Sequence, residues 1–136
     1  MSVLIDVRLP PEPEAPSMAR RAVEQLPERF HVSLETVQLA VSELVTNAVR
    51  HADLEATDEI RLVVNERDDR LRVEVIDPGR GRDAAMTGWN AIPEGYSFER
   101  LPESNYGLFV VRNVADRSGV LLDSGIVAWF EVDLAT

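Results

Sequence analysis

Between Leu34 and Ala52 the apolar residues fall at Leu34, Val37, Val41, Leu44, Val45, Ala48 and Ala52. Only an α-helix gathers that spacing onto one face. Ser33 stands in capping position before the run, and Glu35 places negative charge in the first turn, where the helix dipole favours it. An apolar stripe of this length must be buried against a second layer. The rest of the chain supplies that layer as strands.

Val3–Leu9 alternates apolar and polar residues, as a half-buried strand does. The Pro10–Pro16 stretch then reads as a connector, and Ser17 caps a first helix that runs to about Leu26, where Pro27 argues for its end. After the long helix and a polar break at Asp53–Asp58, Glu59–Glu66 and Leu71–Asp77 form a hairpin around Asp68-Asp69. Residues Pro78–Ser104 carry Gly and Pro with little periodicity, a length that in a compact domain belongs to a functional or a mobile loop. Tyr106–Ala115 is helical, with Gly119 ending or following it, and Val120–Asp123 and Ile126–Leu134 make a last hairpin around Ser124-Gly125. Trp129 and Phe130 alternate on that strand and read as packing residues. The order predicts a single α+β domain over residues 1–136, a two-layer sandwich with a mixed sheet covered on one face by helices.

Composition removes several function classes. There is no cysteine, which excludes disulfides, thiolate metal sites and a cysteine nucleophile. His31 and His51 are too few and too far apart for a zinc site. Every basic residue is arginine, so a phosphate loop that ends in lysine and a Schiff-base lysine are both excluded. A net charge of −10 repels phosphate backbones, which argues against direct nucleic-acid binding and favours a basic protein partner. No apolar run is long enough to span a bilayer and no leader is visible, so the expected location is the cytoplasm.

Three segments hold residues suited to chemistry. On the long helix, Glu43, Asn47, Arg50 and His51 fall within an arc of roughly 100° beside the apolar stripe. Asn offers Mg²⁺ a neutral oxygen, Glu can take a proton from a hydroxyl, and Arg50 can offset phosphate charge. The same four residues also fit a solvated helix flank. In Val75-Ile-Asp77-Pro-Gly79-Arg-Gly81 an apolar strand ends in a carboxylate followed by alternating glycines. The carboxylate can accept from an exocyclic amine, and glycines let a flat ligand approach, although Asp, Pro and Gly also make plain turns. In Asn105-Tyr106-Gly107-Leu108 a glycine opens a helix, whose first N–H groups suit phosphate, while Ser104 or Asn105 would serve equally as an ordinary cap.

Glu-x-x-x-Asn on a helix, Asp-x-Gly-x-Gly after a strand, then a loop and Gly-Leu opening a helix is an order that resembles the GHKL superfamily of ATPases, the Bergerat ATP-binding fold. The wording Glu43-Leu-Val-Thr-Asn-Ala-Val-Arg-His-Ala52 is most similar to the small anti-sigma-factor serine/threonine kinases, especially those of actinobacteria. The resemblance implies ATP and Mg²⁺ as ligands. It gives Asn47 to Mg²⁺, Glu43 to the role of general base, and Asp77 to the adenine amino group. Gly79 and Gly81 would make room for the nucleotide. Residues 82–104 would form a lid, and Asn105, Tyr106, Gly107 and Leu108 would meet the phosphates. Arg50 occupies a position where relatives often place a basic residue, and His51 faces the same pocket.

The chain departs from that pattern twice. Asn105 stands where relatives have a glycine, and Ile126, beside Ser124, stands near where they have a threonine that helps hold the adenine-binding Asp. By resemblance, the protein binds a sigma factor, phosphorylates a serine or threonine of a small antagonist protein, and forms a homodimer. The alternative is a binding module of the same fold with little or no turnover. A histidine-kinase-like domain acting on a separate acceptor is a third reading, and no Ser-His-Asp elbow supports a hydrolase.

Overall fold

The computed structural model describes residues 2–51, 54–79, 106–122 and 125–134. Strand β1 is Ser2–Leu9, helix α1 Ala15–Val23, and a 3₁₀ turn over Glu28–Ser33 leads into helix α2, Leu34–His51. Strands β2 (Ile60–Arg67) and β3 (Arg70–Asp77), helix α3 (Tyr106–Val114), and strands β4 (Arg117–Leu122) and β5 (Ile126–Asp133) follow. No helix among the described residues is long and apolar enough to cross a membrane.

The expected elements are present, with shifted ends. Helix α1 begins at Ala15 rather than at Ser17, because Pro16 fits a first turn, where its missing N–H has no intrahelical partner to lose. It ends at Val23, after which Gln25 N–H donates to Ala22 O (3.1 Å) and Leu26 N–H to Val23 O (3.0 Å), tightening the chain before Pro27. The 3₁₀ turn places Phe30 in the core, and His31 Nε2 donates to Leu26 O at 2.9 Å across it. Ser33 is the last residue of that turn.

The five strands lie in the order β1-β2-β3-β5-β4. All four pairings are antiparallel, which corrects the mixed sheet expected from the sequence. Two helices between β1 and β2 return the chain to the end it left, so those strands run in opposite directions. A single helix separates β3 from β4, which makes them parallel to each other, but β5 is inserted between them and pairs antiparallel with both. The β2–β3 hairpin turns through Asp68 (φ 52°) and Asp69 (φ 60°), the left-handed pair that matches the strand twist. Short connections follow both α2 and α3, and they fix the helix directions. Helix α2 finishes at the sheet end where β3 ends, and α3 finishes at the opposite end, so the two helices are antiparallel neighbours.

Facing residues Leu71–Val132, Val73–Phe130, Val75–Ala128 and Asp77–Ile126 point to one side of the sheet, and the helices cover that side. Phe130, Val73, Leu62 and Val64 share one core there with Val37, Val41 and Val45 of α2, all fully buried. On the other side Arg72 lies over the Trp129 ring at 4.2 Å. Glu131 accepts there from Arg117 Nε (2.7 Å), Arg72 Nη1 (3.2 Å) and Arg70 Nη1 (3.4 Å). The Arg117–Glu131 pairing explains why β4 starts at Arg117 rather than at Val120. Gly119 therefore lies inside a strand rather than at a helix end, and a Cβ there would come within 2.9 Å of the Trp129 indole nitrogen.

Candidate nucleotide-binding site

Asp77 ends β3 on the helix-covered side of the sheet, continuing the inward series Leu71, Val73, Val75. It is one of two buried polar residues among those described. The Gly79 N–H donates to Asp77 Oδ1 at 2.7 Å, with Gly79 at φ 83°, a conformation that an L side chain rarely adopts. Burial pushes the Asp77 carboxyl above its ordinary value, and the Gly79 bond pulls it back only in part. Asp77 Oδ2 has no hydrogen-bond partner among the described residues, which leaves one acceptor oxygen at the end of β3.

Two residues from β5 and its turn shape this corner. Ile126 sits directly across from Asp77 in the ladder and is itself buried. Gly125 lies against the backbone of Asp77, and a Cβ at that position would collide with the Asp77 carbonyl oxygen. In the sequence Ser124-Gly125 reads as the turn of the last hairpin, with Ser124 and Ile126 near the place of the threonine that helps hold the adenine-binding Asp in relatives, and nothing there marks a contact of Gly125 with Asp77. A glycine beside the last strand was the available signal, but its contact with Asp77 depends on β5 pairing with β3.

Helix α2 carries the second group. Glu43 and Asn47 are half-buried and one turn apart, and neither has a hydrogen-bond partner among the described residues. Leu44, Val45 and Ala48 hold that face of the helix against the core. Helix α3 packs beside α2 so closely that a Cβ on Gly107 would collide with Glu43 Oε2. The glycine at the start of α3 thus makes room for the Glu43 carboxylate. Leu108 is buried and anchors the same turn.

Arg50 is exposed in the last turn of α2 and has no carboxylate partner among the described residues. The structure brings Glu43 to Gly107, and Asp77 to Gly79, Gly125 and Ile126. Gly81, Asn105, Ser124, the lid over residues 82–104, and the side chains of His51 and Tyr106 lie outside the described residues.

The residues present suit a magnesium nucleotide. At the start of α3 a glycine makes room for the Glu43 carboxylate, Asp77 holds at a strand end an oxygen without a partner among the described residues, and the Asn47 carboxamide, also without a described partner, lies one turn from Glu43. Among the described residues no cluster of three or more His, Asp or Glu side chains could hold a metal alone. Few protein ligands completed by phosphate oxygens is how Mg²⁺ is commonly held.

An open antiparallel sheet with three helices on one side, and polar residues where α2 meets the end of β3, is the α+β architecture of Bergerat-type ATPase domains. The histidine kinase-like ATPase domain matches residues 9–124, and the chain belongs to that family. It is similar to the serine-protein kinase RsbW of Staphylococcus epidermidis, 30% identical over 129 residues that cover 90% of this chain and 81% of the relative. RsbW of Bacillus licheniformis is 28% identical over 128 residues, covering 90% and 80%. RsbW of Bacillus cereus strain Q1 is 28% identical over 127 residues, covering 90% and 79%.

Proposed function

We propose that this protein is an ATP-dependent protein serine/threonine kinase of the anti-sigma type. In this reading it binds a sigma factor in the cytoplasm and phosphorylates a small antagonist protein. The observation that carries the proposal is the meeting of Glu43 with the glycine that opens α3. It puts a carboxylate without a described partner at the helix start where phosphates are expected. Similarity to proteins named serine-protein kinases supports the same activity.

Asp77 accepts from the adenine amino group through the oxygen that Gly79 leaves free, and Gly79 keeps the backbone low beneath the base. Asn47 is the protein ligand for Mg²⁺, which when bound neutralises phosphate charge. Arg50 adds positive charge at the same end of α2. Glu43 orients the attacking hydroxyl and removes its proton. The acceptor oxygen bonds to the γ-phosphorus, the bond from that phosphorus to the bridging oxygen breaks, ADP leaves with the electron pair, and the proton goes to Glu43. Positioning and charge neutralisation carry most of such a reaction.

A second reading, a partner-binding module with little turnover, is favoured by Ile126. It gives Asp77 an apolar neighbour where a hydroxyl would support the carboxylate. Calorimetric titration with ATP and ADP, with and without Mg²⁺, followed by single-turnover transfer from labelled ATP, separates the two. Magnesium-dependent binding with transfer to a protein acceptor supports the kinase. Absence of binding at millimolar nucleotide gives the lead to the binding module.

A further inference from the structure

The sheet is open, and its two edge strands are built differently. An edge strand offers unpaired N–H and C=O groups to any strand laid beside it, and charges, bulges and prolines are what keep a second strand away. Strand β1 carries all three. Its pairing with β2 shifts between Val3 and Ile5, Asp6 accepts from Arg61 Nε at 2.8 Å, Arg8 lies 3.9 Å from Glu59, and Pro10 and Pro11 follow directly.

Strand β4 lacks these devices. Arg117-Ser-Gly-Val-Leu-Leu122 pairs with β5 without a shift and contains no proline. Its one charge, Arg117, is turned to its own sheet, donating to Glu131 and Asp133. Leu121 and Leu122 are 49% and 50% exposed, the one adjacent pair of large apolar residues left bare among the described residues. This edge is regular, uncharged and apolar.

The order of residues along β4 fits it to a copy of itself. Arg117, Gly119 and Leu121 face Glu131, Trp129 and Val127, on the side of the sheet away from the helices. The Trp129 ring lies where a Gly119 side chain would be, with its nearest atom 2.9 Å from that point, and so reaches over β4 toward the free edge. A projecting leucine and a position with no side chain thus stand two residues apart on one face. An antiparallel copy of β4, set with Val120 opposite Val120, brings each Leu121 opposite the other copy's Gly119, beside the rim of the Trp129 ring. One two-fold axis through Val120 makes both contacts at once, as a self-complementary interface requires. Charge points to the same place. Two chains of net charge −10 repel over most of their surfaces and can approach along this neutral strip.

We infer that β4 is a self-association edge, through which two copies join their five-stranded sheets into one continuous antiparallel sheet. Two strands of six residues bury less than the roughly 1,200 Å² of a standard interface, so the dimer is weak and concentration-dependent. It requires neither nucleotide nor kinase activity.

The chain has no cysteine, which allows a direct test. Residues directly opposite in an antiparallel pair have Cβ atoms about 4.5–5.5 Å apart, which a small adjustment brings within disulfide range. Val120→Cys with oxidised glutathione should give a covalent dimer, the two thiols passing two protons and two electrons to the oxidant. Val3→Cys, on the blunted edge, should cross-link at least about 10-fold more slowly. Sedimentation of the wild type should show reversible dimers, and Leu121→Lys should weaken them at least about 10-fold. All three variants should melt near the wild-type temperature, which shows that they are folded. A wild type that stays monomeric up to about 1 mM overturns the proposal. So does a dimer that Leu121→Lys leaves intact, or cross-linking at position 120 no faster than at position 3.

Discussion

Gly107 and Glu43 are 64 positions apart in the chain, yet the glycine's missing side chain is the space that the Glu43 carboxylate occupies. The start of α3 and the middle of α2 are therefore fitted to each other at the level of one methyl group. The obstacle to a larger residue is the far end of a movable side chain, so Gly107→Ala should fold. An alanine inside a helix also gains up to about 1 kcal/mol over glycine. The variant should melt at or slightly above the wild-type temperature, while phosphoryl transfer falls by up to about 100-fold as the carboxylate is displaced. A melting scan beside single-turnover transfer measures both, and unimpaired transfer would separate Glu43 from the chemistry.

Gly125 is a harder case, because the obstacle there is the backbone carbonyl of Asp77. Neither partner can rotate away. Gly125→Ala should cost about 1–3 kcal/mol in urea unfolding, as overpacked sites do. It should also weaken nucleotide binding, because the β3 end that carries Asp77 must move. Wild-type stability in this variant would mean that the β5 turn does not press on β3.

Asp77 sets a pH dependence of opposite sign to that of a salt-bridged carboxylate. Burial raises its folded value above the ordinary 3.8. The folded state therefore binds this proton more tightly than the unfolded chain does. That contribution to stability is fully present below about pH 3.8 and is lost as pH rises through the folded value. Asp77→Asn keeps an oxygen for the Gly79 N–H and removes the charge. It should raise the nucleotide-free melting temperature at pH 7, with the gain shrinking as pH falls toward 4, and it should lose most of the stabilisation given by added ATP. Melting curves at several pH values, with and without nucleotide, check this. A variant less stable than wild type at neutral pH would mean that the carboxylate is well solvated.

Asn47 and Glu43 divide binding from chemistry. Asn47→Ala should abolish Mg²⁺-dependent nucleotide binding in calorimetry, and unchanged affinity would remove Asn47 from the site. Glu43→Ala should leave binding within a few-fold of wild type and reduce transfer by about 100-fold or more, the range for a general base. Full transfer in that variant would reject Glu43 as the base.

Much of this site is legible in local chemistry. The spacing of Leu34, Val37, Val41, Leu44 and Val45 forces a helix and fixes Glu43 and Asn47 on one flank, because helical angle depends only on separation in the chain. The alternation Leu71, Val73, Val75 fixes which way Asp77 points once one face is buried. Strand and helix ends are less legible. Pro16 reads as a break until a first turn accommodates it, and β4 begins at Arg117 only because Glu131 lies opposite.

The sequence by itself determined the helix, the strand end, and the residue types placed on each, since all of these follow from period and turn chemistry within a few residues. Only the tertiary structure decided that the sheet is antiparallel throughout, that Ile126 and Gly125 close on Asp77, and that Gly107 yields its space to Glu43. Those relationships follow from β5 inserting between β3 and β4 and from α3 packing back against α2. They are contacts between segments far apart in the chain, and no local pattern encodes the partner.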